Sequence, residues 1–239
     1  MEYRGYDSAG VAIIEGKKIY IAKKKGKLKV LTEELYPNPI KGTIGIGHIR
    51  WATHGVPSEA NAHPHRDCAG KIAVVHNGII ENYLELKTEL KKKGHKFLSE
   101  TDTEVIPHLI EEFYKDDLEK ALRKTVKMLK GSYAIAVIHE DEPDKIVGTR
   151  HDSPLIVGLG KGENFLASDV PAILDYTHSV IYLDNDDVVT ITRDGVSVKD
   201  AGGHPVHKKP FVIKWDISQA EKSGYKHFML KEIFEQGDV

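Results

Sequence analysis

The sequence predicts an α+β fold, that is, a layered α/β arrangement, and three observations support this class. Short β-branched runs separated by turn residues recur from the start of the chain to about residue 198. Segments with helical spacing of apolar residues cluster between about residues 82 and 130. Strands and helices do not alternate regularly, which excludes a doubly wound parallel sheet.

The predicted strands are β-branched runs bounded by turn residues. In chain order they are Val11–Ile14, Lys18–Ile21, Ile44–His48, Ile72–His76, Tyr133–His139, Lys145–Val147, Leu155–Val157, Phe165–Ala167, Val180–Tyr182, Val188–Thr192 and Val196–Val198. The stretch Ala201–Pro210 is rich in glycine and proline and is predicted to be a loop. Because no repeat or linker divides the chain, residues 1–239 are expected to form a single domain.

The predicted helices carry apolar residues on one stripe. In chain order they are Asn82–Lys93, Val105–Tyr114, Leu118–Leu129 and Tyr225–Gln236. In the first of them Asn82 is predicted to cap the N-terminus, with Glu85 completing a capping box. Gly94 follows three lysines and is predicted to end this helix.

The composition excludes several classes of protein. The 34 lysines and arginines nearly balance the 36 aspartates and glutamates, so neither nucleic acid nor a membrane surface is a predicted partner. No apolar stretch approaches the ~18 residues of a membrane span. The single cysteine, Cys68, excludes an intramolecular disulfide, and we expect a cytoplasmic location. No GxGxxG or P-loop pattern occurs, and no cofactor is predicted.

One candidate site begins where a predicted strand ends, at Arg50-Trp51-Ala52-Thr53-His54-Gly55. Side chains at a strand end are held rigidly and often face a cleft. An arginine there has a planar fork that suits a carboxylate. The alternative from composition is that Arg50 stacks on an aromatic ring and that His54 is a solvated loop residue.

A second candidate site is Asn77-Gly78. An Asn-Gly pair between apolar runs favours a hairpin turn on local grounds. The segment that follows is predicted to be helical, however, which favours a strand-to-helix corner. Such a corner would place a side-chain amide beside a backbone N–H group, the composition of an oxyanion hole.

A third candidate lies before the second predicted helix. Thr101 and Glu104 have capping-box spacing, and Asp102 would lie in the first turn of that helix. A carboxylate at this corner could equally receive a substrate ammonium group. The pattern leaves both interpretations open.

His63, His65 and Cys68 are three possible metal ligands within six residues. A zinc site would need a fourth ligand and tetrahedral convergence, and we predict no metal here. Cys68 is predicted to be a passive thiol, because the adjacent Asp67 raises its pKa.

Five motifs together resemble one family in the right order. They are Glu2-Tyr3-Arg4-Gly5-Tyr6-Asp7-Ser8-Ala9-Gly10, Arg50-Trp51-Ala52-Thr53-His54-Gly55, Asn61-Ala62-His63-Pro64-His65, His76-Asn77-Gly78-Ile79-Ile80-Glu81-Asn82 and Ser99-Glu100-Thr101-Asp102-Thr103-Glu104. The chain resembles the glutaminase domain of the glucosamine-6-phosphate synthases, the glutamine:fructose-6-phosphate amidotransferases. The resemblance covers nearly the whole chain. It implies a four-layer αββα sandwich of the N-terminal-nucleophile hydrolase type, with mainly antiparallel sheets.

The resemblance also implies a reaction. An N-terminal cysteine attacks the side-chain amide of glutamine, which gives a thioester and ammonia, and then glutamate. Arg50 would hold the α-carboxylate of glutamine, and Asp102 its α-ammonium group. The Asn77 side chain and the Gly78 N–H would form the oxyanion hole.

Further roles and partners follow from the same resemblance. Thr53 and His54 would line the pocket, Trp51 would belong to the lid that closes over the substrate, and Arg4 would lie near the nucleophile. The implied partners are L-glutamine, L-glutamate and the isomerase domains of a parent enzyme, which is expected to be a homodimer. No cofactor and no metal are implied.

The family's N-terminal cysteine has no counterpart in this sequence. We therefore expect a glutaminase domain that lacks the family's first strand and helix, has no isomerase domains and does not turn over glutamine. The missing strand is expected to leave an unfilled slot or an exposed edge in a sheet.

Three alternatives stand beside this interpretation. Another class II amidotransferase, such as an amidophosphoribosyltransferase or an asparagine synthetase, would share the Asn-Gly pair but not the full motifs. A non-catalytic domain could bind glutamine or glutamate through Arg50 and Asp102. A metal-binding domain could use His63, His65 and Cys68.

Overall fold

A computed structural model describes residues 5–215 and 233–234. Its strands are β1 (Ser8–Glu15), β2 (Lys18–Lys25), β3 (Ile44–Arg50), β4 (His65–Arg66), β5 (Ile72–Ile80), β6 (Gly131–His139), β7 (Lys145–His151), β8 (Ile156–Leu159), β9 (Asn164–Ala167), β10 (Ser179–Tyr182), β11 (Val188–Thr192), β12 (Val196–Lys199) and β13 (Phe211–Val212). Its helices are α1 (Leu28–Leu35), α2 (Tyr83–Lys92), α3 (Val105–Phe113) and α4 (Leu118–Val126), and a 3-10 turn spans Val170–Ala172. Every predicted strand is present, and residues 201–210 form a loop as predicted.

The strands form three sheets. A six-stranded sheet has the order β12-β11-β7-β6-β5-β4, a three-stranded sheet the order β2-β1-β3, and a four-stranded sheet the order β13-β10-β8-β9. Neighbouring strands are antiparallel throughout. The predicted class, a layered α/β fold with mainly antiparallel sheets, is confirmed.

The alternation of side chains along β5 positions the layers. Successive residues of a strand point to opposite faces of the sheet. Val74 packs in the core cluster beneath helices α2, α3 and α4. Its neighbours Ala73 and Val75 pack on the other face, against Ala12 and Ile46 of the three-stranded sheet. The six-stranded sheet is therefore covered by helices on one side and by strands on the other.

The second strand layer consists of two small sheets side by side. The four-stranded sheet contributes Val157 and Ile181 to a cluster with Ala134 and Val189 of the six-stranded sheet. The three-stranded sheet lies over the β5–β6 part of the same face. Strand β3 is an edge of one small sheet, and β9 is an edge of the other.

Helix α1 was not predicted from the sequence. It is eight residues long, follows Lys27 without a side-chain cap, and has the single buried residue Leu31. Helices this short form mainly through tertiary packing, so their sequence signal is weak. In the described residues no helix is long and apolar enough to cross a membrane. Of the predicted helix Tyr225–Gln236, only Ile233 and Phe234 are described, and both are helical; the rest lies outside the described residues.

The capping box predicted at Asn82 is wrong. The Asn82 side chain makes no cap hydrogen bond to α2. Its amide instead donates to the carbonyl oxygen of Met128 and accepts from the backbone N–H of Lys130, each at 2.9 Å. Asn82 therefore bonds backbone groups far along the chain instead of the N-terminus of α2. The predicted stop at Gly94 is confirmed, since that glycine has a φ of +99°.

Two other local predictions are also wrong. Asn77 and Gly78 form neither a hairpin turn nor a corner, because β5 continues through them to Ile80 and pairs with β6 over its whole length. Thr101 does not pair with Glu104 in a capping box. The Glu104 carboxylate accepts from the N–H groups of Leu98 and Ser99, each at 2.7 Å, and α3 begins after it.

Gly78 is required by its backbone, and we predict that Gly78→Ala is strongly destabilising. Its φ is +124°, and an added Cβ would lie 2.1 Å from the carbonyl oxygen of Ser132 on β6. We expect the free energy of unfolding to fall by about 3 kcal/mol, because both backbone strain and a backbone clash are introduced.

Gly162→Ala is the matched control, measured in the same denaturant titration. Gly162 has a φ of +73°, but nothing lies within 4 Å of its added Cβ. We expect a loss of only about 1 kcal/mol, the cost of a left-handed conformation alone. Equal losses for the two variants would contradict the proposed clash at Gly78.

Candidate active site

A cavity of about 530 Å³ opens between the edge strands β3 and β9, with β5 and β6 as its floor. This volume is in the range of small-molecule sites. The cavity brings together most of the predicted site residues, which come from separate parts of the chain. Those that line it are Arg50, Trp51, Thr53, Asn77, Gly78 and Asp102. His54 is not part of this lining, and Arg4 lies outside the described residues.

Arg50 is the last residue of β3 and is 4 % exposed. Its Nη2 donates to the carbonyl oxygens of His54 and Gly55, which folds the segment after β3 around the guanidinium group. Its Nη1 lies 4.0 Å from Asp7 Oδ1 and has no hydrogen-bond partner among the described residues. Arg50 is therefore a buried cation with a free donor, held by backbone carbonyl oxygens rather than by the aromatic ring of the alternative prediction.

The charge on Arg50 persists despite burial. Burial lowers the pKa of Arg50, while the carboxylates of Asp7 and Asp102 act in the opposite direction. A guanidinium group starts from so high a pKa that it stays protonated in proteins. A buried cation with a free donor favours an anion, and a carboxylate fits its planar geometry.

Asp102 is 3 % exposed and lies on the cavity wall. Its Oδ2 accepts from the backbone N–H of Ile80 at 2.8 Å, so the end of β5 fixes the carboxylate. The prediction that Asp102 lies in the first turn of a helix is wrong, because α3 begins only at Val105. The alternative, a carboxylate that can receive an ammonium group, is the one that this geometry permits.

Three further predicted site residues, Trp51, Thr53 and His54, follow Arg50 in the chain. His54 Nδ1 lies 3.9 Å from Asp102 Oδ1, and its ring packs edge-on against Tyr83. Trp51 is 63 % exposed and contacts Tyr6 at a ring-centroid distance of 5.5 Å. An exposed tryptophan at the rim of a cavity is compatible with the predicted place in a lid.

Asn77 is oriented by a histidine on the neighbouring layer. His48 Nε2 lies 2.8 Å from Asn77 Oδ1. Burial lowers the pKa of His48 to about 4, so the ring is neutral at pH 7 and bonds the amide oxygen through an Nε2–H group. Because the amide oxygen is occupied, the NH2 group of Asn77 is the part of this side chain that can donate to a ligand.

A set of four histidines, three of them buried and one half-buried, lies at the cavity wall or next to it, and the sequence did not predict this set. The rings of His48 and His63 stack at 4.2 Å. His76 Nδ1 lies 2.9 Å from Thr103 Oγ1, and His65 Nε2 lies 3.2 Å from Thr101 Oγ1. Burial lowers the pKa of all four histidines, to well below the ordinary value for His63 and His65.

Because the pKa values of these histidines are lowered, we predict that the folded chain loses stability at acidic pH. Below about pH 6.5 the unfolded chain binds protons at histidines that stay neutral in the folded chain, so stability falls as the pH falls. Between pH 6.5 and about pH 5 His48 should cost about 1.5 kcal/mol of stability, and His63 and His65 should lower the stability in the same direction. Urea titrations at these two pH values measure the loss. His65→Gln should flatten the pH dependence and exposed His204→Gln should not; a stability independent of pH in this interval would contradict the prediction.

Cys68 does not join His63 and His65, so the metal cluster considered from the sequence is not formed. Its Sγ lies 3.6 Å from His95 Nδ1 and 3.6 Å from His108 Nδ1, whereas His65 bonds Thr101. Burial, together with the Glu111 carboxylate, raises the pKa of the Cys68 thiol. Cys68 is also not among the residues that line the cavity.

Solved structures that resemble this fold include glutamine amidotransferases. The glutamine phosphoribosylpyrophosphate amidotransferase from B. subtilis matches with a TM-score of 0.70 at 26% identity, over 84% of this chain and 44% of that chain. A glutamine aminotransferase class-II domain protein from Silicibacter pomeroyi has a TM-score of 0.56 over 81% of this chain and 91% of its own; at 13% identity it shows the fold alone. The fold is that of the amidotransferases of the N-terminal-nucleophile hydrolase type.

The sequence also identifies the family, within this class, to which the chain belongs. Residues 48–175, just over half of the chain, match the family described as glutamine amidotransferase domain. This chain belongs to that family.

Relatives in the curated proteins extend the match to almost every residue. A glutamine--fructose-6-phosphate aminotransferase [isomerizing] from Aquifex aeolicus is 59% identical over 236 residues, which are 99% of this chain and 40% of that protein. The Thermus thermophilus protein of the same name is 54% identical over 99% of this chain and 39% of its own length. This chain thus spans about two fifths of the length of the curated relatives that it matches.

Proposed function

We propose that the cavity binds L-glutamine and releases its side-chain nitrogen as ammonia. The observation that carries this proposal is the pair of buried, opposite charges on one cavity, Arg50 and Asp102. A zwitterionic amino acid needs one cation for its carboxylate and one anion for its ammonium group. The free Nη1 of Arg50 suits the first, and the anchored carboxylate of Asp102 suits the second.

The reaction also needs donors for the oxygen of the side-chain amide. The NH2 group of Asn77, oriented by His48, and the backbone N–H of Gly78 would stabilise the negative charge that forms on this oxygen during attack. A thiolate then adds to the amide carbon, the C–N bond breaks, and ammonia leaves with a proton taken from the thiol. Water hydrolyses the resulting thioester to glutamate and restores the thiol.

Cys68 is the single cysteine of the 239 residues, but it is not the proposed nucleophile, because it lies outside the cavity lining. We propose that the thiol belongs to a strand that precedes these residues and fits between the edges of β3 and β9. Both edges line the cavity, and neither has a partner strand on that side among the described residues. This arrangement supports the expectation that the first strand of the family's fold leaves a slot here.

The acceptor of the ammonia is inferred from the relatives. Proteins 54–59% identical to this chain are named glutamine--fructose-6-phosphate aminotransferases, so we propose that the ammonia serves glucosamine 6-phosphate synthesis. The isomerase domains would then be the partner of this domain, in a cytoplasmic homodimer. The phosphoribosylpyrophosphate enzyme, at 26% identity, is not the favoured alternative.

The test is ammonia release from L-glutamine by two proteins. One is the chain of 239 residues, and the other, called here the extended chain, is lengthened upstream to begin with a cysteine as in the family. We expect turnover by the extended chain alone. Activity of the shorter chain would show that another nucleophile acts and would overturn the proposed mechanism. Binding of glutamine without turnover by the extended chain would instead favour a non-catalytic glutamine-binding domain.

A further inference from the structure

Four side chains that the proposed reaction does not use converge on the helical side of the domain. They are Cys68, His95, His108 and Glu111, and the ligand atom that each offers lies within 4.8 Å of the other three. They come from three segments: the turn between β4 and β5, the loop after α2, and helix α3. The structure assigns a zinc site to these four residues, and we name them the Cys68 cluster.

The distances within the Cys68 cluster fit tetrahedral zinc. Cys68 Sγ lies 3.6 Å from the Nδ1 atoms of both histidines, and Glu111 Oε2 lies 3.1 Å from His95 Nδ1 and 3.4 Å from His108 Nδ1. Zinc bonds of 2.0 to 2.3 Å at tetrahedral angles place a nitrogen and an oxygen about 3.4 Å apart, and a nitrogen and a sulfur about 3.5 Å apart. Four of the six distances among these atoms therefore match the edges of a zinc tetrahedron, and all four residues offer ligand atoms within 4.8 Å of one another.

The contacts of His95 orient its ring toward the centre of the Cys68 cluster. His95 Nε2 lies 3.0 Å from Glu112 Oε1, on the side of the ring away from the cluster. His95 Nδ1 then faces both the Glu111 carboxylate and the Cys68 sulfur. An imidazole held by a carboxylate at one nitrogen and directed to a metal by the other is the usual arrangement in zinc sites.

Two of the ligands have outer contacts of the kind found in established zinc sites. The Glu112 carboxylate lies within hydrogen-bond distance of His95 Nε2, at 3.0 Å. The backbone N–H of Lys96 donates to Cys68 Sγ at 3.4 Å, which stabilises a thiolate. Glu104 Oε1 lies 4.0 Å from His108 Nε2, so this carboxylate is not hydrogen-bonded to that nitrogen.

The set of ligands selects the metal and its role. One thiolate, two imidazoles and one carboxylate suit zinc, whereas magnesium and calcium prefer oxygen ligands alone. Four protein ligands fill a tetrahedral ion, so the site is structural rather than catalytic. Cys68 is exposed, which gives the ion a route of entry. The ion would tie the turn after β4 and the loop after α2 to helix α3.

The test is zinc content, which is independent of glutaminase activity. The full chain without a histidine tag is produced with zinc in the medium, dialysed against zinc-free buffer, and analysed for metal by mass spectrometry. We expect about one zinc ion per chain, as for a closed four-ligand site. Cys68→Ser and Glu111→Gln should each lower the retained zinc at least about tenfold.

His204→Asn is the matched control, because His204 is exposed and lies outside the Cys68 cluster. It should retain as much zinc as the parent chain. Substitution by cobalt gives a second readout: a charge-transfer band from thiolate to cobalt should appear in the parent chain and disappear in Cys68→Ser. Circular dichroism confirms that each variant is folded. A folded parent chain that holds less than about a tenth of an equivalent of zinc, or variants that retain as much zinc as the parent, would overturn the assignment.

Discussion

Asn77→Ala in the extended chain is expected to lower kcat for glutamine hydrolysis by about a hundredfold to a thousandfold, with little change in KM. The Asn77 amide is oriented by His48 and would donate to the oxygen that becomes negatively charged only as the thiolate attacks. Loss of this donor therefore raises the barrier without weakening the binding of the α-carboxylate and ammonium groups. Steady-state ammonia release over a range of glutamine concentrations separates kcat from KM.

The control for this prediction is Asn185→Ala. Asn185 bonds Asp152 at the surface and is not part of the cavity lining, so its kinetic constants should match those of the parent. A kcat for Asn77→Ala within about threefold of the parent would contradict the proposed oxyanion hole.

Arg50→Lys is expected to weaken the binding of L-glutamate to the extended chain by about thirtyfold or more, since one charge-assisted hydrogen bond contributes roughly 2 kcal/mol. Lysine keeps the positive charge, but it lacks the fork that donates to the carbonyl oxygens of His54 and Gly55 while a second nitrogen faces the ligand. Isothermal titration calorimetry measures the change in affinity.

Arg193→Lys is the matched control for Arg50→Lys. Arg193 donates to the carbonyl oxygen of Gly162 at an exposed position outside the cavity lining. The Arg193→Lys variant should bind L-glutamate with the same affinity as the parent. The proposed carboxylate site would be contradicted by an Arg50→Lys variant that is folded and binds L-glutamate as tightly as the parent.

The strands could be predicted from the sequence because their signal is local. Buried runs such as Ile72–His76 or Tyr133–His139 carry enough β-branched residues to mark a strand, and the structure keeps or extends these two runs. The local sequence pattern gave a wrong prediction where a residue bonds a partner that is distant in the sequence. Asn82 bonds Met128 and Lys130 instead of capping α2, and β6 pairs with β5 straight through Asn77-Gly78.

The candidate site could be predicted from the sequence only in part. The residue types identified Arg50, Asn77 and Asp102, but composition left open that Arg50 stacks on an aromatic ring. Its burial and its bonds to two carbonyl oxygens are properties of the folded segment after β3. His54 is not part of the cavity lining, although its Nδ1 lies 3.9 Å from Asp102 Oδ1, and its place in the glutamine pocket stays a prediction.

The Cys68 cluster could not be found from spacing along the chain. His63 and His65 are near Cys68 in sequence, yet His95 and His108 are near it in space. The ligands come from three segments that only the packing of α2 and α3 brings together. His108 and Glu111, three residues apart on one helix face, were the one local signal for such a site.

Calorimetric titration of the extended chain with three ligands shows whether one cavity recognises both charges of an amino acid. L-glutamate has both groups, glutarate lacks the ammonium group, and 4-aminobutyrate lacks the α-carboxylate. We expect each analogue to bind at least about thirtyfold more weakly than L-glutamate, because each leaves Asp102 or Arg50 buried without its partner. Equal affinities for the three ligands would contradict the proposal that Arg50 and Asp102 bind the two charged groups.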